Sequence, residues 1–187
     1  MKTRFSLKAL ALGLGAAILF TMSANAQSNL SSAKNVTLKL DLRNVLEFTI
    51  NAQNSSVIFD EVSEYANGND TTESAAFTIS SNLPFKIEVV SQSDNFSNGA
   101  GKTIPLSVMK IQSAGNSDND ASTANEVALS KTTVGELLRT TTGCISRSYD
   151  IKYTATPSET GSTPNNEFLA NPTGVYSATL LYTITQL

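Results

Sequence analysis

The feature that most constrains this fold is the alternation of apolar and polar residues along almost every apolar stretch. In "SYDIKYTAT", residues 148–156, the apolar positions Tyr149, Ile151, Tyr153 and Ala155 alternate with charged or hydroxyl-bearing residues. A strand turns successive side chains to opposite faces, whereas a helix repeats about every 3.6 residues. This period of two predicts a half-buried strand.

The same period recurs along the chain between polar segments. About nine strands are predicted, at residues 36–42, 45–50, 57–59, 75–81, 84–90, 103–111, 126–130, 148–156 and 174–187. Pro84 predicts a break between two of them, because proline donates no ladder hydrogen bond. Only residues 133–139, "TVGELLR", suggest even one helical turn. A parallel sheet needs crossover helices, so we predict an all-β, antiparallel, two-sheet immunoglobulin-like sandwich.

The N-terminus predicts export. Lys2, Arg4 and Lys8 precede an apolar run over residues 9–20, and "ANA" at residues 24–26 fits a cleavage site. We therefore expect a signal peptide at residues 1–26, a flexible segment at 27–35 and one β-sandwich domain at 36–187. The location would be periplasmic, cell-surface or extracellular. No later apolar run approaches the ~18 residues of a membrane helix, so no membrane insertion is expected after cleavage.

Composition narrows the chemistry. The whole chain has 13 basic and 16 acidic residues; without the three basic residues of the signal peptide, the formal charge is −6. Nucleic acid is therefore not an expected partner. The chain has no His, which excludes His-assisted nucleophiles and His-ligated metals. Cys144 is the single cysteine and is predicted to be a small buried residue, although a reactive or intermolecular thiol is the alternative. No cofactor is expected.

The last strand carries a recognisable pattern. Pro172, Gly174, Tyr176 and Tyr182 lie in "NPTGVYSATLLYTIT". This stretch resembles the final-strand signature of exported bacterial β-sandwich proteins, which include fimbrial and spore-coat-U-like subunits and WxL cell-wall-binding proteins. Residues 75–89 are similar to the central strand pair of small secreted surface proteins of Bacteroidetes-type bacteria. The resemblance covers most of residues 36–187 and implies a structural or adhesive surface subunit.

Carboxylates and loop residues offer weaker candidates. Asp60, Glu61 and Glu64 could form an acid–base pair, but carboxylates so close in sequence usually lie in a solvated turn. Asn116, Asp118 and Asp120 alternate as in a calcium loop, although the Gly and Glu of such a loop are missing, so no metal site is predicted.

Two aromatic residues are predicted on loops. Tyr65 and Phe96 are possible ligand contacts, for example with a glycan, although such a ring more often packs under its own loop. Thr71, in "DTT", resembles an O-glycosylation signal of Bacteroidetes-type bacteria, which requires an exposed loop.

Three function classes follow. The first is a non-catalytic surface or fimbria-like structural or adhesive subunit that pairs with itself or other subunits by β-augmentation. Its donated strand would carry Val36, Leu38, Leu40 and Leu42, although pairing of this strand within its own sandwich is the simpler expectation. The second class is a carbohydrate- or cell-wall-binding module, disfavoured by the absence of Trp. The third is a hydrolase. Because the chain ends at Leu187 within its last predicted strand, surface retention is expected to use the faces or edges of the domain.

Overall fold

The computed structural model describes residues 37–116, 122–158 and 166–187. Contacts divide the chain into two units, Met1–Leu40 and Asp41–Leu187, and all described strands and helices lie in the second. The predicted signal peptide, the segment 27–35, Val36, Asp118 and Asp120 lie outside the described residues.

The described residues form eleven strands and two short helices. In chain order they are β1 Leu46–Ile50, α1 Val62–Asn67, β2 Asn69–Ser81, β3 Phe85–Ser91, β4 Asn95–Ser97, β5 Thr103–Pro105, β6 Met109–Asn116, β7 Ser122–Ala124, β8 Glu126–Ala128, β9 Gly135–Thr140, β10 Cys144–Ala155, α2 Glu167–Ala170 and β11 Leu180–Gln186.

The strands build two main antiparallel sheets. The five-stranded sheet has the order β1-β2-β10-β6-β8, and the four-stranded sheet has the order β11-β3-β9-β7. The strands β4 and β5 form a small separate ribbon. The predicted fold class, an all-β antiparallel sandwich, is confirmed.

The core lies between the two main sheets and follows the predicted alternation. On β10, Tyr149, Ile151, Tyr153 and Ala155 are all buried, and the residues between them are more exposed. On β3, Phe85, Ile87 and Val89 are almost wholly buried. The period of two therefore identified the inward face of the central strands.

The long strand β2 contains a bulge that two side chains hold in place. The ladder between β2 and β10 shifts register near Ala75, whose φ is 50°. Asp150 accepts the backbone N–H of Ala75 at 2.7 Å, and Asn51 Nδ2 donates to the Ala75 carbonyl at 2.9 Å. These two side chains supply partners for backbone groups that the bulge takes out of the ladder.

The first predicted strand is absent from the domain. Residues 37–45 form no strand, and Leu38, Leu40 and Leu42 are 92%, 82% and 79% exposed. The strand predicted over residues 36–42 is therefore not formed by its described part. Alternation makes a segment suitable for a strand, but burial also needs a neighbouring strand to pair with.

Three local predictions are also corrected. Residues 133–139 do not form a helical turn, because β9 pairs with both β3 and β7 there. Residues 57–59 form no strand; Phe59 instead packs its ring against Tyr65 and Phe168. The predicted strand 103–111 is divided by a 3-10 turn at Leu106–Val108, although Ile104, Leu106 and Val108 are buried as a strand pattern would have them.

The turn between α1 and β2 depends on a glycine. Gly68 has φ 90°, and a Cβ at this position would lie 2.5 Å from the Ala155 carbonyl oxygen. Gly101 has a similar φ of 81°, but its surroundings are open. Substitution of Gly101 would therefore cause backbone strain alone, whereas substitution of Gly68 would add a steric clash.

We predict that Gly68→Ala lowers the free energy of unfolding by about 2 kcal/mol or more, since it combines left-handed backbone strain with a clash against backbone. Gly101→Ala should cost only about 1 kcal/mol, because strain alone acts there. Urea denaturation of both variants measures the difference. Equal losses would contradict the close approach at Gly68.

Candidate functional site

Two aromatic contacts set how the sheets face each other. Phe77 on β2 meets Tyr182 on β11 with ring centroids 4.8 Å apart, and Phe85 on β3 meets Tyr149 on β10 at 6.2 Å. Thus β11 lies over β2 and β3 lies over β10. Because β11 is the edge of its sheet and β1 continues the other sheet beyond β2, no strand of the described residues lies opposite β1.

This missing strand leaves a strip of the core incompletely covered. We name it the open lane: the space beside β11 and opposite β1, lined by Phe48, Ile50, Leu180, Tyr182 and Ile184. All five pack against the core but are only partly buried. The inward residues of β3, which has neighbours on both sides, are by contrast almost inaccessible.

The lane also offers unpaired backbone groups. Thr179 O accepts a hydrogen bond from Gln92 N, and Leu187 N donates to Pro84 O, so the odd-numbered residues of β11 direct their backbone groups to the β3 side. Alternate residues of an antiparallel strand face opposite neighbours. The N–H and C=O groups of Leu180, Tyr182 and Ile184 therefore point to the open edge.

The edge of β11 differs from the other edges of the two main sheets. The edge strands β7 and β8 have three residues each, and β1 has five, including Glu47. In contrast, β11 has seven residues, "LLYTITQ", with no charge, proline or glycine. Natural sheets protect their edges by shortness, charge or proline, so β11 is the described main-sheet edge best suited to receive another strand.

Residues 43–45, which connect the exposed residues 37–42 (the leucine segment) to β1, are held next to this lane. Asn82, in the turn between β2 and β3, accepts the Val45 N–H at 2.8 Å and donates to the Arg43 carbonyl at 2.9 Å. Gln186, at the end of β11, donates to the Val45 carbonyl at 2.7 Å. Residues 43–45 are therefore fixed at the end of the sandwich where β11 finishes.

The final-strand motif is structural. Tyr176 folds back so that its hydroxyl donates to the Pro172 carbonyl at 3.0 Å, and Asn98 Nδ2 donates to the same hydroxyl at 3.5 Å. Gly174 lies in the turn that this bond closes. The strand begins at Leu180, later than predicted, but its even-numbered residues face inward as expected.

Tyr182 links the lane to the core. Its hydroxyl lies 3.0 Å from that of Tyr153 on β10. Desolvation raises the pKa of Tyr182 well above its ordinary value, and the neighbouring Tyr153 raises it further. Burial likewise raises the pKa of Tyr149 to about 12.

The two predicted ligand contacts are largely occupied by the chain itself. Tyr65 lies on α1, packs against Phe59 with centroids 5.6 Å apart and donates its hydroxyl to the Phe59 carbonyl. Phe96 lies on β4 and packs against the core. Both rings are used as staples within the domain, which is the alternative that the sequence also suggested.

The clustered carboxylates cap a helix. Glu64 Oε2 accepts the backbone N–H groups of Glu61 at 3.0 Å and Asp60 at 2.7 Å, while Oε1 accepts Asn69 Nδ2 at 2.8 Å. The two backbone hydrogen bonds lower the pKa of Glu64. This arrangement stabilises the start of α1. It does not resemble the two carboxylates on opposite sides of a substrate that a glycosidase needs.

The remaining sequence candidates have ordinary positions. Cys144 is buried and donates its thiol to the Ile79 carbonyl at 3.4 Å. Asn116 ends β6. Thr71 lies within β2, paired with Tyr153, and is half-buried, so it is not on the exposed loop that glycosylation would need.

Two kinds of feature are absent from the described part of the chain. No three His, Cys, Asp or Glu residues there are grouped to hold a metal ion. No helix in those ranges has the length and apolar character to cross a membrane.

Sequence reasoning did not identify Phe48, Ile50 or Asn82 as parts of a site. The absence of charge in "LLYTITQ" was the available signal for an unprotected edge, but pairing partners decide which strand becomes an edge. The fold and site together define an all-β antiparallel sandwich with one open apolar edge. The chain matches no family model and no curated protein sequence.

We predict that the protein loses stability as the pH rises above about 10. A tyrosine with a raised folded-state pKa stabilises the fold fully below its unfolded pKa, and this contribution is lost as the pH rises toward the folded pKa. Each such residue adds at most about 1.4 kcal/mol per pH unit to the slope.

Urea denaturation between about pH 8 and pH 11 measures this slope. Tyr182→Phe should make the slope shallower while lowering the free energy of unfolding at neutral pH by about 1 kcal/mol, because the Tyr153 hydroxyl loses its partner. An unchanged slope in this variant would contradict the assignment to Tyr182.

Proposed function

We propose that this chain is an exported, non-catalytic surface or fimbria-like structural subunit that assembles with copies of itself by strand donation. Residues 36–42 of one copy occupy the open lane of another and pair with β11. The observation that carries the proposal is the coexistence in one chain of an uncharged, open seven-residue edge and an exposed segment with leucines at every second residue.

The two parts match in length and pattern. The segment 36–42 has seven residues, as has β11, and its apolar residues Val36, Leu38, Leu40 and Leu42 recur with the period of a strand. One face of a paired strand would cover Tyr182 and Phe48, whereas Thr37, Lys39 and Asp41 would remain on the outer face.

Energetics favour this use of the leucines. Burying one leucine side chain contributes about 1.5–3 kcal/mol. Three leucines thus offer more than about 4 kcal/mol, in addition to the backbone hydrogen bonds that the edge of β11 gains. A chain that left both the edge of β11 and the exposed leucines uncovered would be prone to non-specific aggregation.

We predict that replacing Leu38, Leu40 and Leu42 together by Asp abolishes assembly. The dissociation constant should rise at least about 1000-fold, since each 1.4 kcal/mol corresponds to about tenfold. These side chains are exposed in the isolated chain, so the variant should keep wild-type thermal stability as a monomer. Sedimentation velocity over a range of concentrations, with the full chain purified after export, measures assembly.

The matched control is the pair of changes Thr37→Asp and Lys39→Asp, which add carboxylates to the same segment on its other face. This variant should still assemble. If both variants lose assembly equally, charge rather than the apolar face is responsible; if the leucine variant assembles like the wild type, strand donation by this segment is wrong.

A peptide provides an independent test of the lane. A synthetic peptide of residues 35–43 should bind the triple-Asp variant in a 1:1 ratio and raise its melting temperature, because the lane remains empty and intact there. The same peptide with its three leucines replaced by Asp should not bind. Absence of binding by both peptides would contradict the lane as the acceptor.

A further inference from the structure

Exposed apolar residues are concentrated at the two ends of the sandwich. We call the end at the β2–β3 turn the base and the opposite end the top. Among the described residues outside the leucine segment, four large exposed apolar side chains lie at the base and five at the top. The base group is Val45, Leu46, Ile145 and Leu187; the top group is Ile58, Val62, Val134, Leu169 and Val175.

Hydrogen bonds and register show where five of these residues lie. Leu46 pairs with Ser81, Ile145 follows Cys144, which also pairs with Ser81, and Leu187 N donates to Pro84 O. At the other end, the Ile58 carbonyl is bound by Asn69, where β2 begins, and the Gly135 that follows Val134 pairs with Val89 near the end of β3.

The outer faces of the sheets differ from the ends. Outside the base and top groups, Leu181 is the one other large exposed apolar residue of the described sheets; it lies on the outer face of β11 and pairs with Val90, close to the top. At the base, Ile145 is 89% exposed because the bulge between Cys144 and Arg147 turns it outward. At the top, Val175 is 86% exposed. Both ends of the sandwich therefore offer exposed apolar side chains for contact with another copy.

Strand donation would bring the base of the donating copy close to the copy that accepts its strand. Leu42 would lie in the acceptor's lane, whereas Leu46 begins β1 of the donating copy. Four residue steps span at most about 14 Å, and Asn82 holds residues 43–45 against the donor's own base. The base of the donor must therefore lie close to the acceptor's lane, at whichever end Leu42 occupies.

The direction of the donated strand decides which end that is. A strand antiparallel to β11 places Leu42 beside Leu180, at the acceptor's top; a parallel strand places it beside Gln186, at the base. Base-to-top contact covers both apolar ends, whereas base-to-base contact leaves the whole top group exposed. Antiparallel pairing is also slightly more stable per residue.

We propose that copies of the domain stack end to end, with the base of each donating copy packed against the top of the copy that receives its strand. This inference rests on the proposed strand donation. The contact is heterologous, because different surfaces of the two copies meet, and each added copy presents a new free end. The product is an open-ended filament of this one chain.

Cross-linking of two single-cysteine variants tests the orientation. Both carry Cys144→Ser in the full chain; one adds Ile145→Cys at the base and the other Val175→Cys at the top. The two are mixed, allowed to assemble and treated with a short bismaleimide. We expect a mixed cross-linked dimer, identified by mass, and little product from the Ile145→Cys variant alone. Thr49→Cys, exposed on the outer face of β1, replaces Val175→Cys as the matched control and should give no mixed product.

The outcomes separate the two proposals, with sedimentation velocity recording assembly in every sample. Mixed base-to-top products in assembled samples support end-to-end stacking. Assembly with predominant Ile145–Ile145 products would establish base-to-base contact and overturn stacking while leaving strand donation intact. Assembly with no cross-link at either position would likewise overturn it. Samples that remain monomeric would overturn strand donation itself, and the stacking inference with it.

Discussion

The packing of Tyr182 against Phe77 is the interaction on which the candidate site depends. Together with the contact between Phe85 and Tyr149, it places β11 opposite β2, so that no strand of the described residues lies opposite β1. Had the sheets met one strand further along, β11 would have covered β1, and the short strand β8 would have extended beyond the four-stranded sheet instead. The open lane is thus a result of how the two sheets are aligned.

The alternation of residues predicted the faces of strands better than their partners. Tyr149, Ile151 and Tyr153 are inward-facing because a period of two is enforced by backbone geometry wherever a strand forms. Residues 36–42 have the same pattern, yet their described leucines are exposed. Local sequence specifies which side chains share a face, whereas burial of that face requires a second surface that the sequence pattern does not identify. The open edge of β11 was therefore not predictable, whereas the period of residues 36–42 was.

Other differences have local causes. The stretch 133–139 has weak helical character, but pairing on both sides as β9 supplies more hydrogen bonds than one helical turn could. Glu64 could be read as a reactive carboxylate from sequence, and the structure instead uses it to bind backbone N–H groups at the start of α1. Short helices and their caps depend on single side chains such as Glu64, and the periodicity of apolar residues does not predict them.

If strand donation occurs as proposed, the order of elements along the chain favours pairing between copies over pairing within one copy. The leucine segment joins β1 at the base, through three residues held by Asn82. To enter its own lane, the segment would have to lie parallel to β11. The chain would then have to reverse its direction within residues 43–45 in order to begin β1. A strand from another copy has no such restriction and can pair in the antiparallel direction. The same connection that disfavours self-pairing would bring the ends of two copies together, so that strand pairing and end contact stabilise one assembly.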